Sequence, residues 1–169
     1  MSETNDTQVG SALRWIVNIL EERSLPFLVV GGLAARAYGA TRPVADIDLY
    51  VPSEGLASVF EAVRPNVKRA LARHVDAHWD LEFMQLEYGG EVIELGVADG
   101  AKYWDSRAGR WRDAAVDFKA AEIHELYGIS VPVMPRKELL TYKERLGREV
   151  DRADVEAILT GSTEPGNGA

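Results

Sequence analysis

Asp46 and Asp48, one residue apart in VADIDLYVP, constrain this chain more than any other feature. Along an extended strand, side chains at i and i+2 share a face, so both carboxylates project one way while Ile47 and Leu49 project the other. Two like charges this close raise each other's pKa unless a cation sits between them. The pair is costly as a structural ornament and well suited to an oxygen-only site for Mg2+ or Mn2+.

The rest of the chain bounds what can surround that strand. With 169 residues, 46% of them apolar, the sequence is long enough for one domain, read here as residues 1–161, followed by a disordered tail at 162–169. There is no cysteine, so disulfides, thiolate metal sites and thiol nucleophiles are excluded. No apolar run is long enough to span a bilayer, and the first residues, MSETNDTQVG, are polar and acidic, so a cytoplasmic protein with no membrane partner is expected. The net charge of −8 argues against a broad nucleic-acid-binding face, although it leaves room for a small basic groove.

Periodicity gives alternating helices and strands, an α/β (α+β) pattern. SALRWIVNILEER reads as an amphipathic helix capped by Ser11 and ended by Pro26, and FLVV as a short buried strand. Gly31 and Gly32 turn the chain into a brief helix, LAARAYG, before the DIDLYV strand. Ser53 is expected to open a helix of about a dozen residues with Leu56, Val59, Phe60 and Val63 inward. DLEFMQLEY and EVIELGVAD form a hairpin about Gly89 and Gly90, and KYWDSRAGRWRD reads as a polar loop. A strand near ISVPVMP precedes two C-terminal helices, RKELLTYKERLG and DRADVEAIL.

The glycine turn has two readings. It either supplies the positive φ of a tight connection or leaves backbone N–H groups bare for a phosphate. GGLAARAYG has neither the terminal Lys-Ser/Thr of a Walker A loop nor the third glycine of a dinucleotide fingerprint, so both of those classes lose support.

The order of parts (buried strand, Gly31-Gly32, short helix, Arg42, then Asp46 and Asp48) resembles the nucleotidyltransferase superfamily with the DNA polymerase β-like fold, particularly its small bacterial members. The likeness is closest over residues 26–52 and extends loosely to the DRADVEAIL helix. It implies a mixed β-sheet flanked by helices, with Asp46 and Asp48 holding Mg2+ or Mn2+ and with Gly31, Gly32 and Arg42 on the nucleotide. Val44 stands where the family often has Thr, so any contribution of that hydroxyl is missing.

Such families carry a third carboxylate on a later strand. Glu94, inside VIELGV, would be an expensive unpaired charge in a buried strand unless a metal or a reacting hydroxyl uses it. The bland alternative is an edge-strand carboxylate facing water; Glu82, Glu87, Glu91 and Asp99 fall nearer turns or on ordinary alternating faces. The family's late Lys corresponds to Lys143, which would reach the triphosphate or else lie on a solvated helix face beside Glu144 and Glu149. Asp151 and Asp154 read as charges at a helix start.

Other features are weaker. His74 and His78 have helical i, i+4 spacing but lack the Glu of a zinc-protease motif and a third ligand. Trp104 and Trp111 bracket a loop with Arg107, Arg110 and Arg112 that either meets a nucleoside or packs at the domain edge.

The resemblance implies transfer of an NMP from an NTP to an acceptor hydroxyl with release of pyrophosphate. The acceptor stays open among an aminoglycoside-like or lincosamide-like small molecule, RNA, and a partner protein as in toxin–antitoxin pairs. Net charge leans slightly toward the small molecule. The alternative class is a nucleotide-binding or interaction module that keeps the fold without turnover.

Overall fold

Val9, Leu13, Ile16 and Leu20 form a buried stripe along the first helix, α1 (Ser2–Glu22), at the spacing that puts them on one face. The computed structural model describes the backbone of residues 2–161 and the side chains of residues 5–161; the expected tail lies outside the described residues. After α1 come β1 (Leu28–Val30), α2 (Gly31–Ala37), β2 (Asp46–Val51), α3 (Ala57–Val63), β3 (Val67–Val75), β4 (Trp79–Tyr88) and β5 (Glu91–Val97). The chain continues with β6 (Lys102–Asp105), β7 (Arg110–Asp113), β8 (Glu122–Leu126), β9 (Ile129–Val133), α4 (Arg136–Leu146) and α5 (Glu149–Gly161).

The strands form one mixed sheet in the order β7, β6, β4, β5, β2, β1, β9, β8, with β3 along the other edge of β4. Its central pair is parallel: β2 lies beside β5 in a register that sets Asp48 opposite Glu94. β1 runs antiparallel to β2 and parallel to β9. Alternation then sorts the two central strands. Ile47, Leu49, Ile93 and Leu95 enter the core, where α1 lies against β5, while Asp46, Asp48 and Glu94 share the opposite face.

Several sequence expectations need correction. α1 runs through Ser11, which is exposed in mid-helix, because Val9 extends the buried stripe backward and Asp6 pairs with Arg36 of α2 at 2.9 Å. The helix stops before Pro26: Ser24 takes φ 52° and the Leu25 N–H donates to the Leu20 carbonyl at 3.0 Å, a Schellman-type ending. α3 has seven residues rather than a dozen, passing into a 3-10 turn at Arg64–Asn66, and Phe60 is exposed rather than inward.

Residues 67–75, unassigned from the sequence, form β3, and KYWDSRAGRWRD is a hairpin rather than a loop, with Gly109 at φ 65° in its turn. β8, also unassigned, pairs with β9. The β4–β5 hairpin stands as read: Tyr88 pairs with Glu91, and Gly89 and Gly90 both take positive φ. Among the described residues, no helix is long and apolar enough to cross a membrane.

Candidate active site

β2 and β5 bring Asp46, Asp48 and Glu94 together so that one carboxylate oxygen from each lies within 4.8 Å of the others. The parallel register achieves this directly, because Asp48 and Glu94 are cross-strand partners and Asp46 is two residues along the same face. Glu94 is half-buried on an internal strand, and Gln85 of β4 donates to its Oε1 at 3.1 Å, so the edge-strand reading does not hold. Burial, then the neighbouring charges of Glu94 and Asp46, push the Asp48 carboxyl up to about 8. Three hard oxygen donors converging on one point fit a divalent cation such as Mg2+ or Mn2+, which would remove that repulsion.

Asp46, Asp48 and Glu94 line a cleft of about 400 Å3 whose lining also includes Gly31, Gly32, Arg42 and Lys143. The seven residues that the family resemblance assigns to metal and nucleotide therefore line one cleft. The two glycines do different things. Gly31, at φ 65°, has no room for a Cβ beside the Asp48 carboxylate, whereas at Gly32 an added Cβ would sit 2.8 Å from Nη2 of Arg42. Both are the first residues of α2, with no side chain capping that turn. Because α2 is only seven residues long, the charge available to a phosphate here comes from side chains.

Those side chains form a chain of ion pairs. Arg42 donates to both oxygens of Asp154, from Nε at 2.6 Å and Nη2 at 2.9 Å. Lys143, 1% exposed, places Nζ 2.8 Å from Asp154 and 3.5 Å from Asp151. Arg148 in turn grips Asp151 with Nε at 2.6 Å and Nη2 at 2.9 Å. Lys143 is thus buried and paired, which removes the solvated-face reading. Asp151 also accepts from the Arg148 backbone N–H at 3.2 Å, as expected at a helix start, while Asp154 lies a turn further in and serves the ion pairs instead. Burial alone would raise the Asp154 carboxyl, but Arg42 and Lys143 outweigh it and hold it below the usual carboxylate range.

The remaining wall was not read from the sequence as a unit. Trp79 donates from Nε1 to the Tyr142 hydroxyl at 2.8 Å and carries the Arg148 guanidinium 4.5 Å from its ring centre. His74 and His78 lie on β3 and in the following turn, so helical spacing does not apply. His74 pairs instead with Asp76 at 2.8 Å, and both line the cleft. Trp104 and Trp111 stack edge to face across the β6–β7 hairpin and are not among the cleft's lining residues. Glu91 is buried on the core face, and Asp99 accepts from the Ser53 N–H at 2.8 Å, so neither competes with Glu94. Val44 is buried in the core.

No family model matches the chain, and no curated protein matches it by sequence. Solved structures do match. A Thermotoga maritima protein described as a candidate nucleotidyltransferase aligns with a TM-score of 0.67 at 22% identity over 90% of this chain and 92% of its own. The lincosamide antibiotic adenylyltransferase LnuA, with lincomycin bound, aligns at 0.60 and 14% identity over 88% and 94%. ANT(2″)-Ia in complex with adenylyl-2″-tobramycin aligns at 0.59 and 17% identity over 90% and 88%. The fold of this chain, with its mixed sheet, its central carboxylate-bearing strands and its C-terminal helix pair, is that of the nucleotidyltransferases.

Proposed function

We propose that this chain is a metal-dependent nucleotidyltransferase that moves an NMP from an NTP to an acceptor hydroxyl and releases pyrophosphate. The observation that carries this reading is the charge content of one cleft: three converging carboxylates and the cations Arg42, Lys143 and Arg148 line the same space. A nucleoside triphosphate needs both, with cations for its tail and carboxylate-held metal at its α-phosphate.

In this reading the β- and γ-phosphates lie over Gly31 and Gly32, where the absence of side chains lets the backbone approach, and against Arg42 and Lys143. Asp46, Asp48 and Glu94 hold Mg2+ or Mn2+. A divalent ion there would supply charge neutralisation at the entering and leaving oxygens. The acceptor oxygen attacks the α-phosphorus as the bond to the β-phosphate oxygen breaks. Pyrophosphate carries away the negative charge, and the acceptor proton passes to a carboxylate, for which Glu94 is the assignment. No protein nucleophile is required.

Val44 packs in the core and is not among the cleft's lining residues, so in this reading the chemistry falls to the residues named above. The acceptor we favour is a small hydroxyl-bearing molecule, the class bound in the LnuA and ANT(2″)-Ia structures. The reading implies a cytoplasmic site of action, where NTP and Mg2+ are available. Screening the four NTPs with Mg2+ or Mn2+ against candidate acceptors tests it: acceptor-dependent pyrophosphate release supports transfer, and nucleotide binding without release across all acceptors supports the module.

A further inference from the structure

Arg42 and Lys143 come from distant parts of the chain and approach the same carboxylate. Arg42 sits in the loop before β2, Lys143 in the last turn of α4, and Asp154 in α5. Oδ2 of Asp154 accepts from Arg42 Nη2 at 2.9 Å and lies 2.8 Å from Lys143 Nζ, so a single oxygen bridges a guanidinium and an ammonium. Without an anion between them, two cations this close repel and splay apart. Asp154 is 1% exposed and Lys143 is equally buried, which fixes the arrangement by packing as well as charge. The guanidinium so held lies against Gly32, where a Cβ would meet Nη2 at 2.8 Å.

The charge count points the same way. Arg42, Lys143 and Arg148 carry three positive charges, and Asp151 and Asp154 carry two negative ones, which leaves one net positive charge in this cluster. A surface of pure cations would attract phosphate but could not stay folded in so small a buried space. Two internal carboxylates solve that problem while leaving Arg42 and Lys143 on the cleft lining.

We infer that Asp154 is a positioning residue for the triphosphate: its buried carboxylate clamps Arg42 and Lys143 side by side, and so ties helix α5 to the glycine turn that receives the phosphates. The assignment rests on the nucleotidyl-transfer reading for its ligand. Asp154 itself touches neither phosphate nor metal, and acts only through the two cations it holds.

Inorganic triphosphate with Mg2+ is the probe, since it reports the phosphate end without any nucleobase, and calorimetric titration is the readout. Asp154→Asn is expected to weaken its binding tenfold or more, and Asp154→Glu to recover part of the loss. In an Arg42→Ala, Lys143→Ala background, adding Asp154→Asn is expected to change affinity less than twofold, because the groups it positions are gone. A merely structural Asp154 would weaken binding by the same factor in both backgrounds, and that result overturns the assignment. If Asp154→Asn does not unfold cooperatively, Arg42→Lys serves instead, because it keeps the charge on a half-exposed side chain while losing the two-pronged grip. Unchanged affinity in Arg42→Lys also overturns the clamp. Failure of the wild-type protein to bind inorganic triphosphate while it still binds Mg2+–NTP overturns the clamp alone. Failure to bind either one overturns the transfer reading and the clamp with it.

Discussion

The two charged clusters on the cleft solve opposite electrostatic problems. In the acidic cluster, Asp46, Asp48 and Glu94 face one another with Gln85 as the neutral donor on Glu94, so like charges accumulate and the Asp48 carboxyl is pushed up to about 8. In the basic cluster, every cation has a carboxylate partner, and the Asp154 carboxyl is pulled down. One cluster calls for an external cation. The other is largely neutralised from within and keeps a small positive excess. That difference separates carboxylates left unpaired by the protein from cations already held in place by it, and it gives substitutions in the two clusters opposite signs.

The largest contrast is in activity. Asp48→Asn or Glu94→Gln should lower transfer ~10²- to 10⁴-fold, the range for losing a general base or a comparable electrostatic group. Glu87→Gln, on an exposed position of β4 beside Lys68, should leave the rate unchanged. Steady-state pyrophosphate release measures all three; equal rates would remove the carboxylate trio from the chemistry.

Stability should then move in opposite directions. Asp154→Asn leaves Arg42 and Lys143 without their shared partner and should cost about 3–5 kcal/mol, the usual penalty for breaking a buried pair on one side. Asp48→Asn removes a half-buried, repelled carboxylate and should instead stabilise the metal-free protein at neutral pH, by about 1 kcal/mol or a Tm rise of about 2–4 °C. Thermal unfolding of both variants without metal tests the comparison, and shifts of the same sign would break it.

Gly32→Val should act more mildly, weakening nucleotide binding by roughly tenfold, or about 1.4 kcal/mol, while leaving metal binding intact. Its φ is not in the left-handed region, so the added side chain acts by displacing the Arg42 guanidinium rather than by straining the backbone. Titration with Mg2+–NTP and with metal alone would show the split.

The smallest effect concerns pH. Because the folded protein holds Asp154 below the usual carboxylate range, its contribution is complete above the unfolded value of about 4 and is lost as pH falls through the lower folded value. The Tm gap between wild type and Asp154→Asn should therefore close on acidification below about pH 4. A gap that persists there would mean that the loss comes from packing and not from charge.

What the sequence makes legible follows from the range of the interactions. Asp46 and Asp48 declare a shared face through strand period alone, and the buried context of VIELGV makes Glu94 conspicuous. The Arg42–Asp154 pair spans 112 positions of sequence, so its existence depends on how α5 packs and no local pattern encodes it. β3 escapes notice because it is mostly exposed and its pairing with β4 is interrupted by two register shifts, which spoil the alternation. The start of α1 is hidden differently: a polar segment, SETNDTQVG, becomes helix because Val9 reaches the core and Asp6 finds Arg36. Tertiary contact overrides local polarity there.

The central claim is that the Asp46, Asp48 and Glu94 cluster is a metal site that serves a nucleotide. The most direct measurement is Mn2+ binding followed by electron paramagnetic resonance, with and without NTP, in wild type and in Asp48→Asn. The account predicts that wild type takes up Mn2+ and holds it more tightly when NTP is present, and that Asp48→Asn loses this uptake while remaining folded. Identical Mn2+ binding by the two proteins, or none in either one with any NTP, would contradict it.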